Sequence, residues 1–225
     1  MYRKYLKRMM DIFCSFVAII VFSPVILVLF LLVRIKLGSP ILFRQKRLGR
    51  NEKIFTIYKF RTMTDKRDAN GSLLPDQERL TKFGLFLRST SLDELPELFN
   101  ILKGDLSIVG PRSLLVEYQP YYTEYERQRH SIRGGLTPPE VLYDNIQPTW
   151  EEQFQYEVDY TKNISFFMDV KIIIFTFKGL LQRKSVNYGM YVRKSLIEER
   201  SEMVFTFQDT NQTASAELEP VSIKK

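Results

Sequence analysis

Residues 12–33 read Ile-Phe-Cys-Ser-Phe-Val-Ala-Ile-Ile-Val-Phe-Ser-Pro-Val-Ile-Leu-Val-Leu-Phe-Leu-Leu-Val, an apolar run without a charged residue. As a helix it would measure about 33 Å, against a hydrocarbon core of about 30 Å, so the run reads as a membrane segment. Both flanks are basic: Arg3, Lys4, Lys7 and Arg8 precede it, and Arg34, Lys36, Arg44, Lys46, Arg47 and Arg50 follow. The positive-inside tendency holds both flanks on the cytoplasmic side, which a helix that enters and returns satisfies better than one that crosses. Ser23-Pro24 lies mid-run, where proline removes one helical hydrogen bond and clashes with the Ile20 carbonyl. The expectation is a re-entrant helix broken at Ser23 and Pro24; a single span with a tolerated kink is the competing reading. No small-residue cleavage site follows, which argues against a removed signal peptide.

The 225 residues suit one domain, and 44% hydrophobic residues supply a real core. A formal charge of +7 fits a phosphate-rich partner: nucleic acid, an anionic membrane or a phosphorylated substrate. With Cys14 the single cysteine and His130 the single histidine, an internal disulfide, a cysteine zinc site and a multi-histidine metal centre are excluded. An enzyme built on this chain would rely on carboxylates and on an oxygen-loving metal such as magnesium.

Beyond the turn at Gly38–Pro40, Ile41–Phe43 and Ile54–Tyr58 are strand-like runs around a basic loop, Arg44 to Lys53, and read as a hairpin. The hairpin continues into Lys59-Phe60-Arg61-Thr62-Met63, where alternation places Lys59 and Arg61 on one face. Two adjacent cations can grip a diphosphate; a solvated edge strand is the plainer reading. Asp65 to Pro75 is a polar loop. A helical pattern from Asp76, with Leu80, Phe83 and Leu87 on its apolar face, leads to Arg88.

Arg88 to Arg112 then reads Arg-Ser-Thr-Ser-Leu-Asp-Glu-Leu-Pro-Glu-Leu-Phe-Asn-Ile-Leu-Lys-Gly-Asp-Leu-Ser-Ile-Val-Gly-Pro-Arg. Ser91 and Glu94 have capping-box spacing at the start of a short helix that Gly104 ends. A helix N-terminus carries partial positive charge, so Asp93 and Glu94 in its first turn stay ionised, and Asp93 suits a nucleophile or a metal ligand. An ordinary capped acidic turn explains the same spacing. Leu106–Val109 is a buried strand candidate, and Gly110-Pro111 presents Arg112, which suits bidentate phosphate binding or a structural ion pair. Leu114 to His130 reads as an exposed amphipathic helix.

Taken in order, Lys59–Met63, Arg88–Leu98, Leu102–Arg112 and Asn163-Ile-Ser-Phe-Phe-Met-Asp-Val-Lys171 resemble the bacterial sugar transferases that are monotopic phosphoglycosyl transferases. With the membrane segment the resemblance covers residues 1 to about 185. It implies transfer of a sugar-1-phosphate from a UDP-sugar to a polyprenyl (undecaprenyl) phosphate, with release of UMP. It also implies an Asp93–Glu94 dyad working with Mg2+, and a re-entrant helix in the bacterial inner membrane with the catalytic domain on its cytoplasmic face. The mechanism it suggests is attack of Asp93 on the sugar-bearing phosphorus. Glu94 and Asp93 would hold the metal, Lys59, Arg61, Arg88 and Arg112 the phosphates, and Asp169 joins the candidate site.

Three departures bear on specificity. Ser113 follows Arg112 where the family usually has proline, Arg133-Gly134-Gly135 stands for Arg-Pro-Gly, and Thr137 to Asn145 replaces the usual Thr-Gly-Trp-Ala-Gln-Val-Asn-Gly-Arg. The short form suggests N-acetylated or amino sugars over glucose and galactose. Phe166 to Leu181 is apolar and suits either the membrane interface or the core.

The expected fold is α+β and mainly helical: a re-entrant membrane helix over 1–37, a catalytic domain with a small β-hairpin and amphipathic interfacial helices over 38–205, and a mobile tail over 206–225. A second copy of the chain is a partner to consider; nucleic acid is not, for want of a recognition motif. The alternative function is a non-catalytic basic module binding anionic lipid.

Overall fold

The computed structural model describes residues 2–143, 148–182 and 193–201. It is α+β and mainly helical, as expected. Asp144, Asn145 and the tail from 206 lie outside the described residues.

Helix α1 spans Lys7–Leu37, and among the described residues it is the one helix long and apolar enough to cross a membrane. The expected break at Ser23-Pro24 is not present as a loss of helix: the helical assignment runs through with Pro24 inside it. Ser23 Oγ donates to the Ile20 carbonyl at 2.8 Å, the acceptor that proline leaves without its helical N–H, so the turn keeps a hydrogen bond there. Asp11, Ser15, Leu29 and Val33 are buried, while Phe13, Val21 and Leu27 are more than 60% exposed. That leaves a wide apolar surface of the kind that faces lipid.

Both ends of α1 are fastened to the same domain. Near the start, Arg8 donates to the Ile101 and Leu102 carbonyls at 2.6 and 2.8 Å, and Asp11 Oδ1 accepts from Ser107 Oγ and the Ile108 N–H, both at 3.0 Å. Near the end, Leu29 and Val33 pack with Phe60 and Leu87.

Strands β1 (Leu42–Leu48) and β2 (Ile54–Phe60) form an antiparallel hairpin in which Leu48 faces Ile54 and Phe43 faces Lys59. The stretch from Arg44, expected as loop, is strand as far as Leu48, and the turn is confined to Gly49–Lys53. A strand with one open edge tolerates its basic side chains in water.

The helical pattern from Asp76 resolves into two helices, α2 (Asp76–Arg79) and α3 (Lys82–Ser89), because Thr81 Oγ1 accepts from the Gly84 N–H at 2.9 Å and starts the second afresh. A Cβ at Gly84 would stand 1.8 Å from the Thr62 carbonyl oxygen, so the glycine is what lets α3 cross the end of the hairpin. Helix α4 (Glu97–Lys103) ends at Gly104, φ 103°. Strands β3 (Ser107–Val109) and β4 (Gly135–Thr137) pair in parallel.

The exposed helix expected over Leu114–His130 is instead a chain of short turns around α5 (Glu124–Arg127). Pro120 cannot donate to a helical ladder, and Thr123 with Glu126 forms a capping box that restarts the helix. Tyr118 and Tyr122 turn inward against Trp150 and Phe154, giving an aromatic core whose members contribute roughly 1.5–3 kcal/mol each on burial. The chain closes with α6 (Trp150–Lys162) and α7 (Phe166–Gln182). On α7, Ile172 is buried with Val109 and Tyr160 while Phe167 and Phe177 are exposed. One face thus joins the core and another presents apolar surface.

Candidate active site

After α3, Ser91 adopts the left-handed conformation (φ 55°), rare for a residue with a Cβ, and swings the chain into a 3-10 turn, Leu92–Glu94. Leu92 and Leu95 pack into the cluster that holds Leu29, Val33, Phe60 and Leu87, which fixes the turn to α1 and β2. The capping box expected between Ser91 and Glu94 is absent: Ser91 makes no capping hydrogen bond, and α4 starts only at Glu97, with Pro96 before it. An N-cap needs extended backbone, which a left-handed Ser91 does not have. The Glu94 side chain is used elsewhere.

Lys59 Nζ donates to Glu94 Oε1 at 2.7 Å and lies 3.2 Å from Glu97 Oε1. Asp93 and Glu97 are both buried. Burial first, and the Glu94 charge second, push the Asp93 carboxyl up to about 6, against the pull of Lys59 and Arg88. Burial likewise pushes Glu97 up to about 7, although Lys59 opposes it. Burial works against the Lys59 ammonium, but the Glu97 and Glu94 carboxylates outweigh it and hold its pKa above the ordinary lysine value.

Arg88, one turn beyond Gly84, donates from Nε to Thr62 Oγ1 at 3.0 Å, and its charge acts on Asp93. The Arg112 side chain is 56% exposed, with Nε 3.6 Å from Glu140 Oε1, and its charge acts on Glu97. The dyad, Lys59, Arg88 and Arg112 therefore share one electrostatic neighbourhood. Arg61 does not join them: its guanidinium donates to the Met63 and Ser39 carbonyls at 2.8 and 2.9 Å and to Asp65 Oδ2 at 2.5 Å, fastening the chain on either side of the hairpin. Asp169 is buried elsewhere, accepting from Tyr2, Lys7 and Tyr160, and ties α7 to the start of α1.

Four carboxylates and cations at or near the site escaped the sequence reading. Glu97 was one helical turn from the dyad, and three acids within five residues of a leucine-rich stretch is the signal that pointed to it. Glu140, in the divergent segment, is pushed up to about 7 by burial and by the Glu157 charge, and its Oε2 is buried without a hydrogen-bond partner. Arg47 Nε and Ser113 Oγ are buried and unpartnered too; Arg47 donates from Nη1 to the Ser113 carbonyl at 3.2 Å. Glu157, fully buried, accepts from the Arg112 N–H at 2.8 Å and from Arg129 Nε at 2.5 Å, so it fixes the backbone that carries Arg112. Two of the departures from the family pattern meet directly: a Cβ at Gly134 would stand 2.1 Å from Ser113 Oγ.

The carboxylates suit a divalent cation. Asp93, Glu94 and Glu97 lie within one short stretch, where the Glu94 charge adds to burial in raising Asp93 and Glu97, and all offer hard oxygen donors. No group of three acids, cysteines or histidines is arranged as a metal cage among the described residues. Magnesium commonly takes one or two carboxylates and completes its shell with phosphates and water. A carboxylate beside lysine and arginine side chains offers a nucleophile next to groups suited to phosphate.

The family model described as "Bacterial sugar transferase" matches residues 2–183. The chain is 45% identical over 187 residues to the uncharacterized sugar transferase EpsL of Bacillus subtilis, covering 83% of this chain and 93% of that one. It is 32% identical to a UDP-N-acetylgalactosamine-undecaprenyl-phosphate N-acetylgalactosaminephosphotransferase of Aeromonas hydrophila (79% of this chain, 44% of the relative). It is 35% identical to a UDP-glucose:undecaprenyl-phosphate glucose-1-phosphate transferase of Klebsiella pneumoniae (80% and 41%). The chain thus spans nearly all of the first relative and less than half of the other two.

Proposed function

The chain belongs to the bacterial sugar transferases, and from that premise we propose that it moves a sugar-1-phosphate from a UDP-sugar to undecaprenyl phosphate. The observation that carries the proposal is the Asp93–Glu94 pair in a fixed, half-buried turn with Lys59 and Arg88 acting on it. In the first half-reaction an Asp93 carboxylate oxygen attacks the phosphorus bonded to the sugar. The bond from that phosphorus to the bridging oxygen breaks, and UMP leaves with the electron pair. In the second, a phosphate oxygen of the polyprenyl phosphate attacks the same phosphorus, the bond to Asp93 breaks, and the carboxylate is regenerated.

Lys59, Arg88 and Arg112 hold phosphate oxygens and offset the charge that builds on them. Glu94 and Asp93 are the residues that would hold magnesium, which when bound neutralises diphosphate charge and stabilises the leaving group. The raised pKa of Asp93 leaves a basic, reactive oxygen that is still ionised near neutral pH.

The membrane reading follows from α1. A helix whose first and last turns both fasten to one domain, while its middle exposes apolar surface, enters the lipid from the side on which that domain sits. The basic flanks select the cytoplasmic face of the inner membrane. Ser23 and Pro24 lie at the middle of this proposed re-entrant path. The donor class proposed is N-acetylated and amino sugars, a reading that rests on the family resemblance; the relatives named above include both an N-acetylgalactosamine and a glucose transferase.

The test uses the full chain in detergent with magnesium and a UDP-sugar carrying label in the sugar phosphate. Without acceptor, release of at most one UMP per protein, with label retained on the peptide containing Asp93, is the expected result. Undecaprenyl phosphate should then move the label into the organic phase. UMP release that requires acceptor from the outset, with no labelled peptide, would refute the covalent route. No transfer with any of a panel of UDP-sugars would leave the chain as an anionic-lipid module.

A further inference from the structure

A cavity of about 360 Å³ lies between the segment Tyr2–Leu6 with the first turn of α1, the turn of the hairpin and the segment preceding β4, and it is lined by Arg3, Lys4, Lys7, Arg8, Arg50 and Arg133. It is remote from the dyad. Arg50 sits at the hairpin turn, whereas Lys59 pairs with Phe43, five residue pairs beyond the last pair at Leu48 and Ile54, or about 16 Å by strand rise.

The cations of the cavity are poorly compensated. Its one lining carboxylate, Asp11, accepts from Ser107 and the Ile108 N–H, and among the described residues only Lys7 has a carboxylate in salt-bridge contact, Asp169. Arg8 and Arg133 donate to the Ile101, Leu102 and Gly104 carbonyls, which satisfies their N–H groups without cancelling their charge. Arg3 reaches a hydroxyl, Ser131 Oγ, at 3.2 Å. Lys4 and Arg50 have no carboxylate partner among the described residues. Arg133 records the crowding: burial, then the Arg8 charge, then the Arg50 charge lower its pKa, and the opposing pull of Asp11 and Asp105 does not restore it. Such a cavity is stabilised by an anion with several acceptor oxygens.

The surroundings indicate where that anion comes from. The next residues of α1 include Met9 and Phe13, 65% and 69% exposed, so apolar surface begins where the basic cavity ends. We infer that this cavity binds the phosphate of an anionic phospholipid, with the acyl chains lying along the exposed face of α1. The inference rests on α1 lying in a membrane and is independent of the chemistry at Asp93.

The full chain, delipidated in detergent and moved into nanodiscs of phosphatidylcholine with or without phosphatidylglycerol, provides the test. Lipid retained on release is counted by native mass spectrometry. The site variant is Lys4→Gln with Arg50→Gln; the control, Arg34→Gln with Lys36→Gln, removes the same charge from the other flank of α1. Bulk attraction to an anionic surface weakens equally in both. A cavity site predicts retained phosphatidylglycerol in the parent and the control, and affinity about tenfold lower in the site variant than in the control. Equal losses in the two variants would overturn the inference. In the second arm inorganic phosphate is titrated in detergent. If phosphate binds with the same dependence on Lys4 and Arg50 while phosphatidylglycerol is not retained, the ligand is a soluble phosphate and the lipid assignment fails.

Discussion

Lys59 Nζ lies 2.7 Å from Glu94 Oε1, so the cation on β2 holds the second acid of the dyad to the sheet. The same ammonium is 3.2 Å from Glu97 Oε1 and lowers the pKa of Asp93. One lysine thus lies against two carboxylates and opposes the effect of burial on Asp93 and Glu97. Lys59→Met should raise the acid limb of the pH–rate profile by about one unit, the equivalent of 1.4 kcal/mol of lost carboxylate stabilisation. An unmoved limb, measured as kcat/KM against pH, would show that Lys59 serves only the fold.

The parent profile follows from Asp93 itself. Attack needs the ionised carboxylate, whose pKa stands at about 6, so kcat/KM for the donor should rise through pH 6 and level off above it. A limb near the ordinary aspartate value, about 4, would contradict the burial of Asp93.

Stability should move the opposite way with pH. Glu97 and Glu140 stand at about 7 when folded, above their unfolded values of about 4.3. A raised acid contributes stability in full below its unfolded pKa and loses it as pH rises through its folded pKa. His130, held down to about 3 by burial and by the Arg129 charge, acts in reverse, but its stability is fully present above about 6.5. Between about pH 6.5 and 8 only the acids change, so Tm should fall across that window, and Glu97→Gln should lessen the fall. Thermal unfolding at several pH values checks both.

Beneath the site, Arg129 and Glu157 form an ion pair that is almost wholly buried, and both also hold the Arg112 backbone. Arg129→Met leaves Glu157 buried without that cation and should cost about 3–5 kcal/mol. Denaturant unfolding measures the loss, and donor binding should weaken with it if Arg112 is displaced.

Much of this organisation was legible. An apolar run between two basic flanks marked the one long apolar helix among the described residues, and the order of short motifs marked the family. Three features resisted. Pro24 suggested a break: Ser23 was in place to take up the freed Ile20 carbonyl, as it does, but the local sequence does not show that this, with the packing of Ile19 and Ile26 on the domain, keeps the helix continuous. The periodicity over Leu114–His130 matched a helix, yet Tyr118 and Tyr122 gain more by burial against Trp150 and Phe154 than a surface helix would return. Arg61 alternated onto the face of Lys59, but the nearby carbonyls and Asp65 that take up its guanidinium are set by how the chain turns outside the strand. Long-range partners decide each case, and local pattern carries no record of them.

The departures at Ser113 and Gly134 make a coupled pair. Gly134→Ala places a methyl 2.1 Å from Ser113 Oγ and should destabilise the chain by about 1–3 kcal/mol. Ser113→Gly removes the obstructing atom, so the double variant should regain most of the loss. The coupling is read from a double-mutant cycle. Additive losses would mean that the backbone near Pro111, also close to this position, sets the limit.

The dyad variants separate a nucleophile from a metal ligand. Asp93→Asn keeps the size of the side chain but removes the anionic oxygen, so the protein should fold, enter membranes and bind donor while losing both half-reactions. Glu94→Gln keeps the nucleophile and weakens the hold on magnesium and on Lys59, so the metal concentration for half-maximal rate should rise about tenfold or more while some labelled intermediate still forms. If both acids served only the turn, each change would cost stability and leave turnover near the parent rate, and the turn is solid enough to tell these apart: Leu92 and Leu95 hold it in the core with Leu29, Val33 and Phe60, whichever acid is changed. A folded Asp93→Asn protein that still releases UMP and retains label would assign the covalent bond to another residue.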